Sequence, residues 1–251
     1  TGVWRIIGVF EVETPQSDET YTKENKVKLV RDVISFGAWN TAKSNDWTSS
    51  TLMTMLNTGP YYNRTNGYTK LACSVRNDTT VSETPICYYD TDGLTSTAKS
   101  QISATKWYLG NVAAGGEIGK DSQGTYQEER NASVWDGNKQ TWDGKVALIY
   151  PSDYMYASSS CYNNGTIGWN YSNSICTSTN WLFNEQWNIM IWTISPGSAS
   201  SYYAMYVWDD GYVVSDNVGS NNGGLRPSVY LNTSVNYVEG DGTVDNPFVI
   251  E

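Results

Sequence analysis

The chain has 251 residues, with 16 Lys and Arg against 26 Asp and Glu for a net charge of −10, and it contains no histidine. An acidic surface repels phosphate backbones and anionic lipid head groups, which argues against nucleic-acid and membrane-surface roles. The missing histidine removes Ser-His-Asp and Cys-His catalysis, imidazole metal sites and a histidine pH switch. What abounds instead is 11 Trp and 19 Tyr amid Asn, Ser, Thr and Gly. Binding surfaces favour that mixture, because rigid aromatics give contact area at low entropic cost while small polar groups adapt. The same rings would also fill the core of a Trp-rich β-protein.

In chain order, Val3 to Val12 reads as a strand, followed by a polar turn through Thr14 to Lys26 and a second strand, Val27 to Arg31. No charged leader precedes the first strand, and no run of 18 apolar residues occurs, so a leader, stalk or anchor is expected outside these residues. Asp46 is placed to cap a helix over Trp47 to Leu56, with Leu52, Met55 and Leu56 on one face and Gly59-Pro60 as its stop. A second helix is predicted over Ser96 to Leu109, with Ala98, Ile102 and Leu109 on one side and Gly110 after it. Beyond Gly110 the strand candidates are Val146 to Tyr150, Ile189 to Ile194, Ala204 to Trp208, Tyr212 to Ser215 and Ser228 to Leu231. Pro227 forces Arg226 into an extended conformation, and Arg226 reads as the anchor of a loop base. No linker divides residues 1–251, so one α+β domain with long irregular loops is expected.

Cys73 with Cys87 and Cys161 with Cys176 are two local pairs without CxxC spacing. Lacking histidine to complete a zinc site, they read as disulfides stapling loops of an exported protein, each worth about 3 kcal/mol for a loop of about 15 residues. Four cysteines allow three pairings, and spacing does not choose among them. Six N-x-S/T sequons, at Asn63, Asn77, Asn131, Asn164, Asn170 and Asn232, are no more than this composition yields by chance.

The most informative stretch is Tyr202 to Asp216, where Asp209-Asp210-Gly211 signals a hairpin turn. With Met205, Val207 and Val213 facing the core, Tyr206, Trp208 and Tyr212 face out, beside Tyr202. That would form an aromatic patch of the kind soluble proteins rarely expose without a partner. The alternative register buries that face. Among enzymes, a glycoside hydrolase survives the absence of histidine because two carboxylates suffice. Glu117, Asp121, Glu128 and Glu129 lie near Trp135 and Trp142, but no spacing identifies a pair. The acidic runs Asp90-Thr-Asp92-Gly93 and Asp241 to Asn246 lack EF-hand spacing and read as Asp-Gly turns. No cofactor, no metal and no catalytic residue is expected.

Several segments together resemble a family of exported proteins from gut Firmicutes and their relatives. They are Val3 to Phe10, Lys28 to Arg31, Asn45-Asp46-Trp47, Tyr61-Tyr62-Asn63, Ala147 to Asp153, Trp192 to Pro196, Arg226 to Leu231, Gly240 to Thr243 and Asn246-Pro247. The terminal domain of such proteins is similar to the C-type-lectin fold of the variable proteins of diversity-generating retroelements. The resemblance implies an α+β, C-type-lectin-like fold with two helices, short antiparallel strands and long irregular loops, its N-terminal strand near Thr243 to Ile250. It also implies a non-enzymatic, extracellular or cell-surface binding protein, anchored through a segment outside these residues, with an unknown protein or glycan as ligand. The variable region would span about 187–222. Its expected ligand contacts are Trp187, Ile189, Ser200, Ser201, Tyr202, Tyr203, Ala204, Tyr206, Trp208, Asp210, Tyr212, Val214, Asp216, Asn217 and Asn221. The calcium-lectin motifs Glu-Pro-Asn, Gln-Pro-Asp and Trp-Asn-Asp are missing, so calcium-mediated sugar binding is not expected. A structural module of a surface fibre is the competing expectation.

Overall fold

Alternating apolar residues make Trp4 to Arg31 a long ribbon, β1 (Trp4–Pro15) pairing antiparallel with β2 (Tyr21–Arg31) from Trp4 opposite Arg31 to Pro15 opposite Tyr21. The computed structural model describes residues 3–65, 89–113, 121–158, 174–183, 190–220, 223–243 and 245–251. The turn is much shorter than Thr14 to Lys26, closing between Gln16 and Thr20 with Glu19 in the left-handed region at φ 65°. Charged residues are accommodated on the ribbon by pairing, Lys23 with Glu11 across the two strands at 3.0 Å, and Glu13 with Lys106 from outside the ribbon at 2.7 Å.

After β3 (Ser35–Gly37), the first predicted helix is present in two pieces. Asp46 caps a single 3-10 turn, Trp47–Ser49, and Ser50 caps α1 (Thr51–Asn57), which buries Leu52, Met55 and Leu56. Short helices α2 (Pro60–Asn63) and α3 (Tyr89–Asp92) precede α4 (Ser96–Gln101). The second predicted helix stops at Gln101, and its remainder forms β4 (Ile102–Ser103) and β5 (Thr105–Tyr108). Here cross-strand packing of Ile102 and Trp107 overrides a three-to-four spacing that fitted a helix equally well.

α5 (Ser122–Asn131), β6 (Thr141–Gly144), β7 (Val146–Leu148) and α6 (Pro151–Tyr156) follow, with a further helix at Ser174–Thr179. The rest is strand: β8 (Ile191–Pro196), β9 (Tyr203–Val207), β10 (Val213–Asn217), β11 (Gly223–Leu225), β12 (Pro227–Leu231), β13 (Tyr237–Glu239) and β14 (Val249–Ile250). One five-stranded sheet runs β1-β2-β12-β4, with β7 also on β12, a second runs β10-β9-β8-β11-β3, and β5-β6 and β13-β14 form two-stranded sheets.

This arrangement overturns the two-helix α+β, lectin-like expectation. Among the described residues strand accounts for 36% against 22% helix, in several sheets with a half-barrel. Among the described residues the N-terminal strand does not pair with the C-terminal segment either. β14 pairs with β13, and the place beside β2 is taken by β12.

The core is aromatic. Trp39 and Trp192 donate their indole N–H groups to the carbonyls of Thr193 and Gly37, each at 2.8 Å, and Trp39 meets Trp47 edge-on at 5.4 Å. Gly223 sits opposite Gly37, and a Cβ there would lie 2.0 Å from Trp192 Nε1. Gly223→Ala is therefore expected to displace the indole and lose about 1–3 kcal/mol by overpacking. A denaturation midpoint equal to the parent's would refute that.

Candidate functional site

The hairpin forms as predicted, Val213 opposite Val207 and Asn217 opposite Tyr203, and Gly211 at φ 93° supplies the turn. Its aromatic face does not. β9 is an inner strand, between β10 and β8, and both of its faces are packed: Met205 and Val207 join one apolar cluster, Ala204 and Tyr206 the other. Tyr206 is 4% exposed and rests on Trp192, ring centroids 5.7 Å apart. Trp208 (42% exposed) is left at the turn, while Tyr202 (53% exposed) and Tyr203 lie at the far end of β9. Asp210 and Asn217 are exposed, whereas Ser200, Ser201, Tyr212, Val214 and Asp216 are half-buried. Ala204 and Tyr206 are thus core residues, and the predicted patch is two separate edges. Trp187, Ile189 and Asn221 lie outside the described residues, as do Cys73, Cys87 and Cys161; Cys176 falls in the helix Ser174–Thr179.

A concave site lies elsewhere, where α5 and α6 cross the face of the β1–β2 ribbon. Its cavity of about 510 Å³ falls in the range of small-ligand clefts. The ribbon contributes Ile7, Phe10 and Lys28, and β12 contributes Tyr230. Four residues come from one face of α5, because positions 123, 126, 127 and 130 recur at three and four: Gln123, Tyr126, Gln127 and Arg130. The opposite face, Ser122, Thr125 and Glu129, is buried. Tyr156 (44% exposed) and Trp181 (39% exposed) form the rim. Trp181 is held there by its N–H to Ala157 and by Arg5, which donates to its carbonyl.

The floor is a buried ion pair. Lys28 donates to Asp153 at 2.5 Å, and its ammonium lies 4.5 Å from the ring centre of Tyr150, 5.2 Å from Trp107, 5.5 Å from Tyr230 and 5.8 Å from Phe10. Burial pushes the Lys28 ammonium below its usual range, against the pull of Asp153. Asp153 also accepts the N–H of Tyr150 at 2.8 Å, capping the helix it belongs to. Glu129, wholly buried, reaches across from α5 to accept Ser152 N at 2.8 Å and Ser152 Oγ at 2.6 Å. Burial raises its carboxyl to about 7, although Arg130 and Ser152 pull the other way. The sequence Tyr150-Pro151-Ser152-Asp153 thus folds as a helix start held by two carboxylates.

The other candidate carboxylates are occupied structurally. Asp121 caps α5 through Gly124 N, Glu128 accepts Ala113 N, and Trp142 packs on Trp47; Glu117 lies outside the described residues. Asp92 pairs with Arg31, and Asp241 closes a turn through Thr243 N at 3.0 Å. Arg226 is the anchor its position predicted, donating to Arg31 O at 3.1 Å and Leu182 O at 2.8 Å. Among the described residues no group of three or more acidic or sulfur side chains is placed to hold a metal ion. Comparison with protein-family models, curated proteins and solved structures found no match.

The residues that line the cleft were missed because Lys28 sits in an apolar strand, between Val27 and Leu29, and its partner is 125 positions away. The one local signal is the polar and aromatic face of α5.

Proposed function

We propose that this protein is a non-catalytic ligand-binding domain acting at the cell surface or outside the cell, and that it takes a carbohydrate in the cleft between α5, α6 and the ribbon. The observation that carries the proposal is the lining: exposed rings of Trp181 and Tyr156 at the rim beside the amides of Gln123 and Gln127. A sugar ring has an apolar C–H face, which stacks on an aromatic plate, and hydroxyl edges, which exchange hydrogen bonds with amides. The four cysteines support an exported protein. Asp153 and Glu129 are engaged in capping α6 and in ion pairs, which favours binding over hydrolysis.

The test is an immobilised-glycan screen of the parent chain, Trp181→Ala and Trp208→Ala. Trp181→Ala is expected to weaken binding at least tenfold with an unchanged melting temperature, and Trp208→Ala to bind as the parent does. The reverse pattern would transfer the site to the hairpin turn.

A further inference from the structure

We infer that the cleft recognises an acidic sugar, whose carboxylate docks on the side-on edge of Arg130. The inference rests on the carbohydrate-binding proposal and adds the charge of its ligand. Arg130 lies in the last turn of α5, its guanidinium carbon 3.3 Å from the ring centre of Tyr126 and about equally far from Tyr108 (5.5 Å) and Tyr150 (5.4 Å). Those three rings surround the group. Its Nη1 is engaged, donating to Tyr126 O and to Glu129 Oε2, both at 3.2 Å. Nε and Nη2 donate to no group among the described residues, and they are not sealed in the interior. These two atoms carry the parallel N–H pair that matches both oxygens of a carboxylate, a match that lysine's point charge cannot reproduce.

The surrounding charge agrees. The ionisable groups lining the cleft are Lys28, Arg130, Asp153 and tyrosines, so the site carries two cations and one anion on a chain whose net charge is −10. Lys28 and Asp153 neutralise each other at 2.5 Å. Arg130 is left facing Glu129 alone, and that carboxyl is held partly protonated near neutral pH by its burial. An incoming carboxylate would therefore meet a guanidinium incompletely neutralised by the protein. Gln127 lies about one turn before Arg130, with its Oε1 used by Asn131 and its amide N–H groups available to ligand hydroxyls.

The experiment is a panel of matched glycans, each acidic member bearing a uronic or sialic acid and paired with its neutral counterpart, titrated into the whole chain. Binding is expected at least tenfold tighter for acidic members, with the advantage shrinking as sodium chloride is raised. Arg130→Lys keeps a cation beside Glu129 but loses the fork, and should abolish the preference, bringing the affinity for each acidic member down to that for its neutral counterpart. Equal affinity for acidic and neutral members in the parent chain would overturn the inference and leave carbohydrate binding standing. Failure of every member would overturn both. Should Arg130→Lys not fold, the parent's preference and its salt dependence decide the matter alone.

Discussion

Replacing Asp153 with alanine is expected to destabilise the protein by about 3–5 kcal/mol, the usual effect of removing one partner from a buried ion pair. The substitution strands the Lys28 ammonium among four rings with its carboxylate gone, and leaves Tyr150 N without its cap. The loss should shrink as pH rises, because burial already favours neutral Lys28 and nothing then opposes it. The double variant Lys28→Met with Asp153→Asn should recover most of the stability. Methionine suits an aromatic cage, and the asparagine oxygen can still accept from Tyr150. Urea denaturation of the three chains measures this. An Asp153→Ala chain within about 1 kcal/mol of the parent would show that the pair contributes little.

Stability should also fall as pH rises from 5 to 8, by about 3 kcal/mol for one carboxyl moved from 4.5 to about 7. The sign follows from proton count. Between those values the unfolded chain has released the Glu129 proton while the folded chain retains it, so raising pH favours the unfolded state until about pH 7, after which the effect is complete. The groups facing Glu129 are Arg130 on its own helix and Ser152, Asp153 and Lys28 across from it. With no histidine in the chain, no other side-chain type ordinarily titrates in this window. Glu129→Gln retains an acceptor for Ser152 and should flatten the profile. A parent profile already flat from pH 5 to 8 would contradict the assignment.

The strands were legible where residues of high strand propensity are bounded by turn formers. Val213 and Val207 flank Asp209-Asp210-Gly211, and the pairing could be read locally. The face they bury could not, since it depends on whether a sheet has one packed side or two. Tyr206 went to the core because apolar clusters pack against both faces of β9. Periodicity misled at Ile102 to Leu109 for a related reason: a buried strand and a buried helix both present apolar residues three or four apart. The segments that carried the family resemblance, among them Trp192 to Pro196 and Arg226 to Leu231, are core strands in this protein, so they bear on packing more than on a binding surface. The cleft was invisible because its walls come from residues 7 to 230. No local spacing announces that Lys28 meets Asp153.

β12 has three partners, β2, β4 and β7, and it lies late in the chain. During synthesis, which runs from the N-terminus, β2 therefore waits about two hundred residues for the strand that covers its open edge. Such pairing across long separations closes large loops before any contact compensates, so folding should be slow and start only when residues 227–231 are free to join. Until then the unpaired edge of β2 offers its backbone to any other extended chain nearby, and the growing polypeptide depends on being shielded or kept dilute.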